Sequence, residues 1–186
     1  MRSIKWAVAV VAASSLMGCG NSQPSIYRVA VQRLTQESFS SSCYVSGQAP
    51  TTITDKSTNL VDQQQWVVWE GVEDAVYLEP GALNYSMGQA ESVRLNADAV
   101  QGSKADGKYT FSSERTQIDS STETHTTSAN YTIDKLGSTL EGSLVLRSQC
   151  AGTGCNFTTP CEVTLTFSGI KINADQLSLY TANPGN

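Results

Sequence analysis

From Tyr27 onward the chain keeps returning to two-residue alternation, and helical periodicity of ten residues or more occurs only before residue 20. Tyr27, Val29 and Val31 share one parity, with Arg28 and Gln32 on the other. Residues 65–69, Gln-Trp-Val-Val-Trp, form the most apolar strand candidate; an acidic loop at 70–74 joins them to a second strand at 75–78. Val93 and Leu95 imply a short strand, and Asp106-Gly107 is a turn dipeptide ahead of a long polar strand from Lys108 to about Ile118. Alternation resumes over 126–133, in Leu140, Leu144 and Leu146, and in Val163, Leu165 and Phe167. Ile170 and Ile172 then change parity, which predicts a β-bulge at Ser168-Gly169. About eight strands joined by turn signals predict an all-β fold: one antiparallel barrel or sandwich.

Composition narrows the chemistry. Serine and threonine together number 43 of 186 residues, which suits solvated strand faces and turns; with only five prolines, a mucin-like stalk does not fit. Twelve basic against seventeen acidic residues, with no basic block, exclude a nucleic-acid partner held through phosphates. A single histidine, His125, leaves little material for histidine-based catalysis.

The N-terminus carries an address. Arg2 and Lys5 precede a mostly apolar run from Trp6 that ends in Leu16-Met17-Gly18-Cys19. A helix of about twelve residues spans only about 18 Å, short of the roughly 30 Å hydrocarbon core, so this is an export signal and not a membrane span. Its end resembles the lipobox of bacterial lipoproteins. That resemblance implies a signal peptide over 1–18, a thioether-linked diacylglycerol on Cys19, and an N-acyl chain such as palmitate on the new amino group. Two or three acyl chains make such an anchor effectively permanent. Residues 19–25 would then be a tether and 26–186 the β-domain. Gly20, where enteric lipoproteins kept at the inner membrane carry aspartate, points to the outer membrane. Removal of 1–18 leaves ten basic and seventeen acidic residues, a net −7, so anionic headgroups would repel the domain and the lipid alone would hold it. The later strands resemble up-and-down barrels of the calycin type, lipocalins among them, although the lipocalin fingerprint is absent.

With Cys19 assigned to lipid, Cys43, Cys150, Cys155 and Cys161 remain, an even set expected as two disulfides in an oxidising compartment. One pairing joins Cys150 to Cys161 and Cys43 to Cys155; another joins Cys150 to Cys155 and Cys43 to Cys161. In every pairing Cys43 reaches the C-terminal cluster across more than a hundred residues. Their spacings match neither a paired C-x-x-C zinc site nor a redox C-x-x-C, so no metal site is expected.

No catalytic set emerges, and the chain is read as non-enzymatic. His125 lies in a polar stretch and is expected to be exposed; Asp119 or Asp134 would complete a triad only on paper, without a G-x-S-x-G elbow. Ser168-x-x-Lys171 falls in a strand, where a penicillin-binding motif has no helix to start. Glu70, Glu73, Asp74 and Glu79 surround one hairpin and would serve hydrolysis only if two carboxylates met about 5–9 Å apart. The N-glycosylation sequons at Asn84, Asn130 and Asn156 are coincidental in a bacterial chain.

Aromatics are the stronger lead. Trp66, Trp69, Tyr77, Tyr109 and Phe111, with Tyr85 and Tyr131, are spread over several strands, and the first five form the candidate binding surface. In a barrel Trp66 and Trp69 cannot both point inward, so one lines the interior and the other is covered from outside. The expected function is a lipid-anchored envelope β-domain binding a small apolar or carbohydrate ligand or an envelope protein. A structural or assembly subunit is the alternative, and a carboxylate hydrolase the third. Beyond the covalent acyl groups no cofactor is expected. Replacing Cys19 by Ser should move the protein from the membrane to the soluble fraction, and intact mass should lose the acyl increment; unchanged fractionation would refute the anchor.

Overall fold

The structure, a computed structural model, describes residues 23–33, 43, 60–71, 75–87, 92–120, 122–155 and 160–173. The signal, Cys19, most of the tether, Glu73, Asp74, Asn156 and the polar segments 35–42 and 47–59 (Cys43 apart) lie outside the described residues. Ten strands are found: β1 (Ser25–Arg33), β2 (Leu60–Glu70), β3 (Val76–Glu79), β4 (Leu83–Ser86), β5 (Ser92–Leu95), β6 (Val100–Ala105), β7 (Lys108–Ser120), β8 (Glu123–Leu136), β9 (Thr139–Gly152) and β10 (Cys161–Ile172). Eight of them close a barrel in the order β1-β10-β9-β8-β7-β6-β3-β2, while β4 and β5 pair as a separate hairpin. Every pairing is antiparallel, and apart from that hairpin and the closing seam, neighbours in the wall are neighbours in the chain. The barrel is thus an up-and-down meander, not a sandwich.

The eight strands expected from alternation are not the eight of the wall. The Val93–Leu95 strand belongs to the hairpin, and its place in the wall is taken by β6, Val-Gln-Gly-Ser-Lys-Ala, largely exposed and without an apolar stripe. The bulge expected at Ser168-Gly169 is absent: β10 pairs with β9 in one register from Cys161↔Ser148 to Ile170↔Thr139. Ile170 keeps the outward parity and is 59% exposed, while Ile172, buried at the last position of the strand, departs from that parity without an inserted residue. Register shifts occur instead at Val31/Gln32, Ile118/Ser120 and Ile133/Lys135. Asp106 and Gly107 both take positive φ (52° and 78°), the conformation that lets a two-residue turn follow the twist of its strands.

An eight-stranded barrel has an interior just wide enough for side chains to fill. Here Trp66 sits at its centre, with ring centroids 4.7 Å from Phe167 and 5.6 Å from Tyr131, the latter edge-to-face. Tyr27, Val29, Leu78, Ile133, Leu144 and Leu165 are buried around it. Room for the rings comes from glycine: Gly142 is the cross-strand partner of Phe167, and a Cβ there would lie 2.6 Å from the Phe167 ring. Cys43 pairs with Cys161 over a sequence separation of 118, a closure that on the chain-entropy model stabilises by about 4–5 kcal/mol. Cys150 pairs with Cys155, completing the second of the two pairings weighed above.

Trp66→Ala should cost about 3–5 kcal/mol by emptying the centre of the core. Gly142→Ala should cost about 1–3 kcal/mol by overpacking against the Thr132 carbonyl and the Phe167 ring. Urea unfolding followed by tryptophan fluorescence and circular dichroism reads both.

Candidate ligand site at the lidded end of the barrel

The register gives the barrel two dissimilar ends. At one end β1 begins and β10 finishes, and the connections β2–β3, β6–β7 and β8–β9 are short. There the Tyr27 hydroxyl donates to the Gly137 carbonyl at 2.8 Å, and the Lys171 amide donates to Ser138 O at 2.9 Å. Lys104 stands 3.5 Å from Glu70, with Nζ 5.0 Å from the Tyr109 ring centroid. Tight turns and these contacts close this end.

The opposite end is covered by the β4–β5 hairpin. It leaves the wall after β3, and β5 packs against β9, which stands across the barrel from β3. Leu83, Tyr85, Met87 and Val93 are buried in the same core cluster as the barrel interior, so the hairpin is a lid with an apolar underside. One polar relay fastens it. Trp66 Nε1 donates to Gln64 Oε1 at 2.7 Å, and Gln64 Nε2 donates to Ala82 O at 2.8 Å and to Asp62 Oδ2 at 2.9 Å. The carboxamide thereby satisfies the buried indole and grips the chain just before β4.

Between the lid and the β7–β8 wall lies a cleft of about 250 Å³. Arg94, Asn96 and Asp98 approach it from the lid side; Glu114, Arg115, Thr127 and Tyr131 approach from the wall. Two guanidiniums and two carboxylates leave the rim without net charge. Tyr131, only 3% exposed, lies in the wall of the cleft with its ring edge-on to Trp66, and burial pushes its phenol well above the ordinary range. Such a lining can hydrogen-bond a neutral polyhydroxylated ligand and give it one apolar surface.

The aromatics expected to share a binding surface do not share one. Trp66, Tyr109 and Phe111 point inward and are buried, whereas Trp69 and Tyr77 are half-buried on the outer wall, stacked at 5.3 Å and 12°. Inward and outward positions alternate along the strands, so these residues were divided by parity. His125, expected to be exposed, is 7% exposed. It shares the inward parity of Ala129, Tyr131 and Ile133 on β8, which begins at Glu123, earlier than the alternation indicated. Glu123 Oε1 lies 2.7 Å from its Nε2, and Cys150 is its cross-strand partner. Asp134 is engaged by Lys108 at 2.7 Å near the other end, far along β8 from His125. Glu70 and Glu79 take opposite parities and stand three register positions apart, about 10 Å, and do not make a facing pair.

Arg94, Asn96, Asp98, Arg115 and Thr127 carried no sequence signal, since no motif links them and only the lid brings them to one wall. No protein-family model, curated protein or solved structure matches the chain.

Burial raises the pKa of both Tyr27 and Tyr131, whereas in the unfolded chain these phenols ionise near pH 10. The unfolded state therefore loses protons first. Their contribution to stability is complete below about pH 10 and declines as pH rises toward the folded values. Urea midpoints measured from pH 8 to 11.5 should fall above pH 10, and Tyr131→Phe should flatten part of that fall.

Proposed function

We propose that this chain is an exported, lipid-anchored β-barrel of the bacterial cell envelope that binds a small neutral saccharide, or the sugar end of a glycan, in the cleft beneath its lid. The observation that carries the reading is the charge-balanced polar cleft, with Tyr131 in its wall, at the lidded end of the barrel. Mouths of barrels are favoured ligand sites, and about 250 Å³ falls just under the range of drug-sized pockets, which fits a ligand of one or two rings. The filled interior argues for a polar ligand over an apolar one.

The anchor and the cleft are compatible in space. Five residues lie between Cys19 and the start of β1 at Ser25, a reach of at most about 20 Å. β1 starts at the closed end, so that end would face the bilayer and the lid would face outward. A role as assembly subunit draws on a different feature: Ile170, 59% exposed, beside a shallow groove of about 370 Å³ shared with Val29, Ala30 and Gly169 on the β1–β10 wall.

Calorimetric titration with neutral hexoses, N-acetylhexosamines and their short oligomers tests the cleft. Arg115→Ala and Arg94→Ala should each weaken a saccharide by about tenfold or more, the loss of a charge-assisted hydrogen bond, while Trp69→Ala leaves it unchanged. If no member of the panel binds, or if Ile170→Asp abolishes co-purification of an envelope protein while the arginine variants do nothing, the assembly role takes precedence.

A further inference from the structure

At the lidded end, outside the cleft, three side chains of different chemistry converge on one point. Glu123 Oε1 lies 2.7 Å from His125 Nε2, Cys150 Sγ lies 3.6 Å from the same nitrogen, and Sγ and Oε1 are 3.7 Å apart. Because Glu123 and Cys150 address the same ring nitrogen, this is not a relay in which a carboxylate orients one nitrogen and a nucleophile uses the other. It is a triangle of carboxylate, imidazole and sulfur, the donor set of a borderline-soft divalent ion. Zinc held tetrahedrally with bonds of about 2.0–2.3 Å places its donors roughly 3.3–3.8 Å apart. Two sides of the triangle meet that spacing, and the third needs only the Glu123–His125 contact to open slightly.

A disulfide sulfur is a poor ligand, and Cys150 is bonded to Cys155. We propose that this disulfide gates a zinc-class metal site: opening it supplies Cys150 as a thiolate beside His125 and Glu123, with Cys155 from the same short loop as fourth ligand. The cross-strand register of His125 opposite Cys150 holds two of the ligands on rigid strands. The loop already lies over the carboxylate, since a Cβ at Gly154 would meet Glu123 Oε2 at 2.7 Å.

The gate is a two-electron step with a thiol or dithiol as reductant. A reductant thiolate attacks the sulfur of Cys155, a half-buried residue, and Cys150 leaves as a thiolate next to the imidazole. A second reductant thiol releases Cys155 and is itself left as a disulfide. Metal binding then displaces the protons of the ligating thiols to solvent. Cys43 and Cys161 are fully buried, so access favours the loop disulfide over the one that ties β10.

Cobalt(II) as a coloured stand-in for zinc tests this on the full chain. Cys155→Ser keeps Cys43–Cys161 and frees Cys150; it should bind one equivalent of cobalt without reductant and show a thiolate-to-cobalt charge-transfer band. Cys150→Ser should show no such band, and adding His125→Ala to Cys155→Ser should weaken binding at least about 100-fold, beyond what loss of an outer partner costs a site. Oxidised wild type should stay colourless and bind after mild dithiol treatment with circular dichroism unchanged. A Cys155→Ser protein that folds but takes up no cobalt, or oxidised wild type that binds as tightly as the opened form, would overturn the proposal.

Discussion

The whole wall hangs on β1 being paired along both edges. Ser25–Arg33 bonds to β2 on one side and to β10 on the other, so the first strand seals the last and leaves the barrel no free edge. Closure at eight strands also fixes the interior: wide enough for one layer of large side chains and no wider. Trp66, Phe167 and Tyr131 occupy that width, and Gly142 opposite Phe167 makes space without swelling the wall. Among the described residues side chains pack this interior, and the clefts found lie at the lidded end and on the outer wall.

The core and the lid are not independent. The Trp66 indole would lose a buried partner without Gln64, and Gln64 in turn holds Ala82 at the root of the hairpin. The apolar underside of the lid continues the core past the end of the strands, through Leu83, Tyr85 and Met87. Tyr131 belongs both to the Trp66 cluster and to the cleft. A change in the central packing is therefore felt at the cleft through one ring and one carboxamide.

How much of this could be read from the sequence follows from what each feature depends on. Alternation made β1, β9 and β10 legible because each buries one face along most of its length, whereas β7, buried only at Tyr109 and Phe111, was read from the Asp106-Gly107 turn ahead of it. β6 was invisible for the opposite reason: it gives the interior only Val100 and Gly102, and backbone pairing with β3 and β7 sets it in place. The even set of cysteines was legible as two disulfides, but their pairing awaited the position of Cys43 beside β10. Parity split the expected aromatic surface, and an early start to β8 turned His125 from solvent to interior. The cleft had no sequence signal at all, being made by a hairpin that crosses from one wall toward another.

Connection lengths explain why both candidate chemistries sit at the same end. At the closed end the strands turn in a few residues, as at Asp106-Gly107 and Gly137-Ser138, and such turns have no side chains to spare for recognition. At the lidded end the links from β1 to β2, β3 to β6 and β9 to β10 are long, and both disulfides are placed there. Long links cost closure entropy and relax the strand ends they join. Cys43–Cys161 offsets this for the β1–β2 link by tying it to the first residue of β10, and Cys150–Cys155 does so for the β9–β10 link. The cross-links thus make a loop-rich end rigid enough to hold residues in register, which is the condition for a ligand cleft. One of them, partly exposed and next to His125 and Glu123, is also the only described disulfide that a reductant could open without first dismantling the barrel.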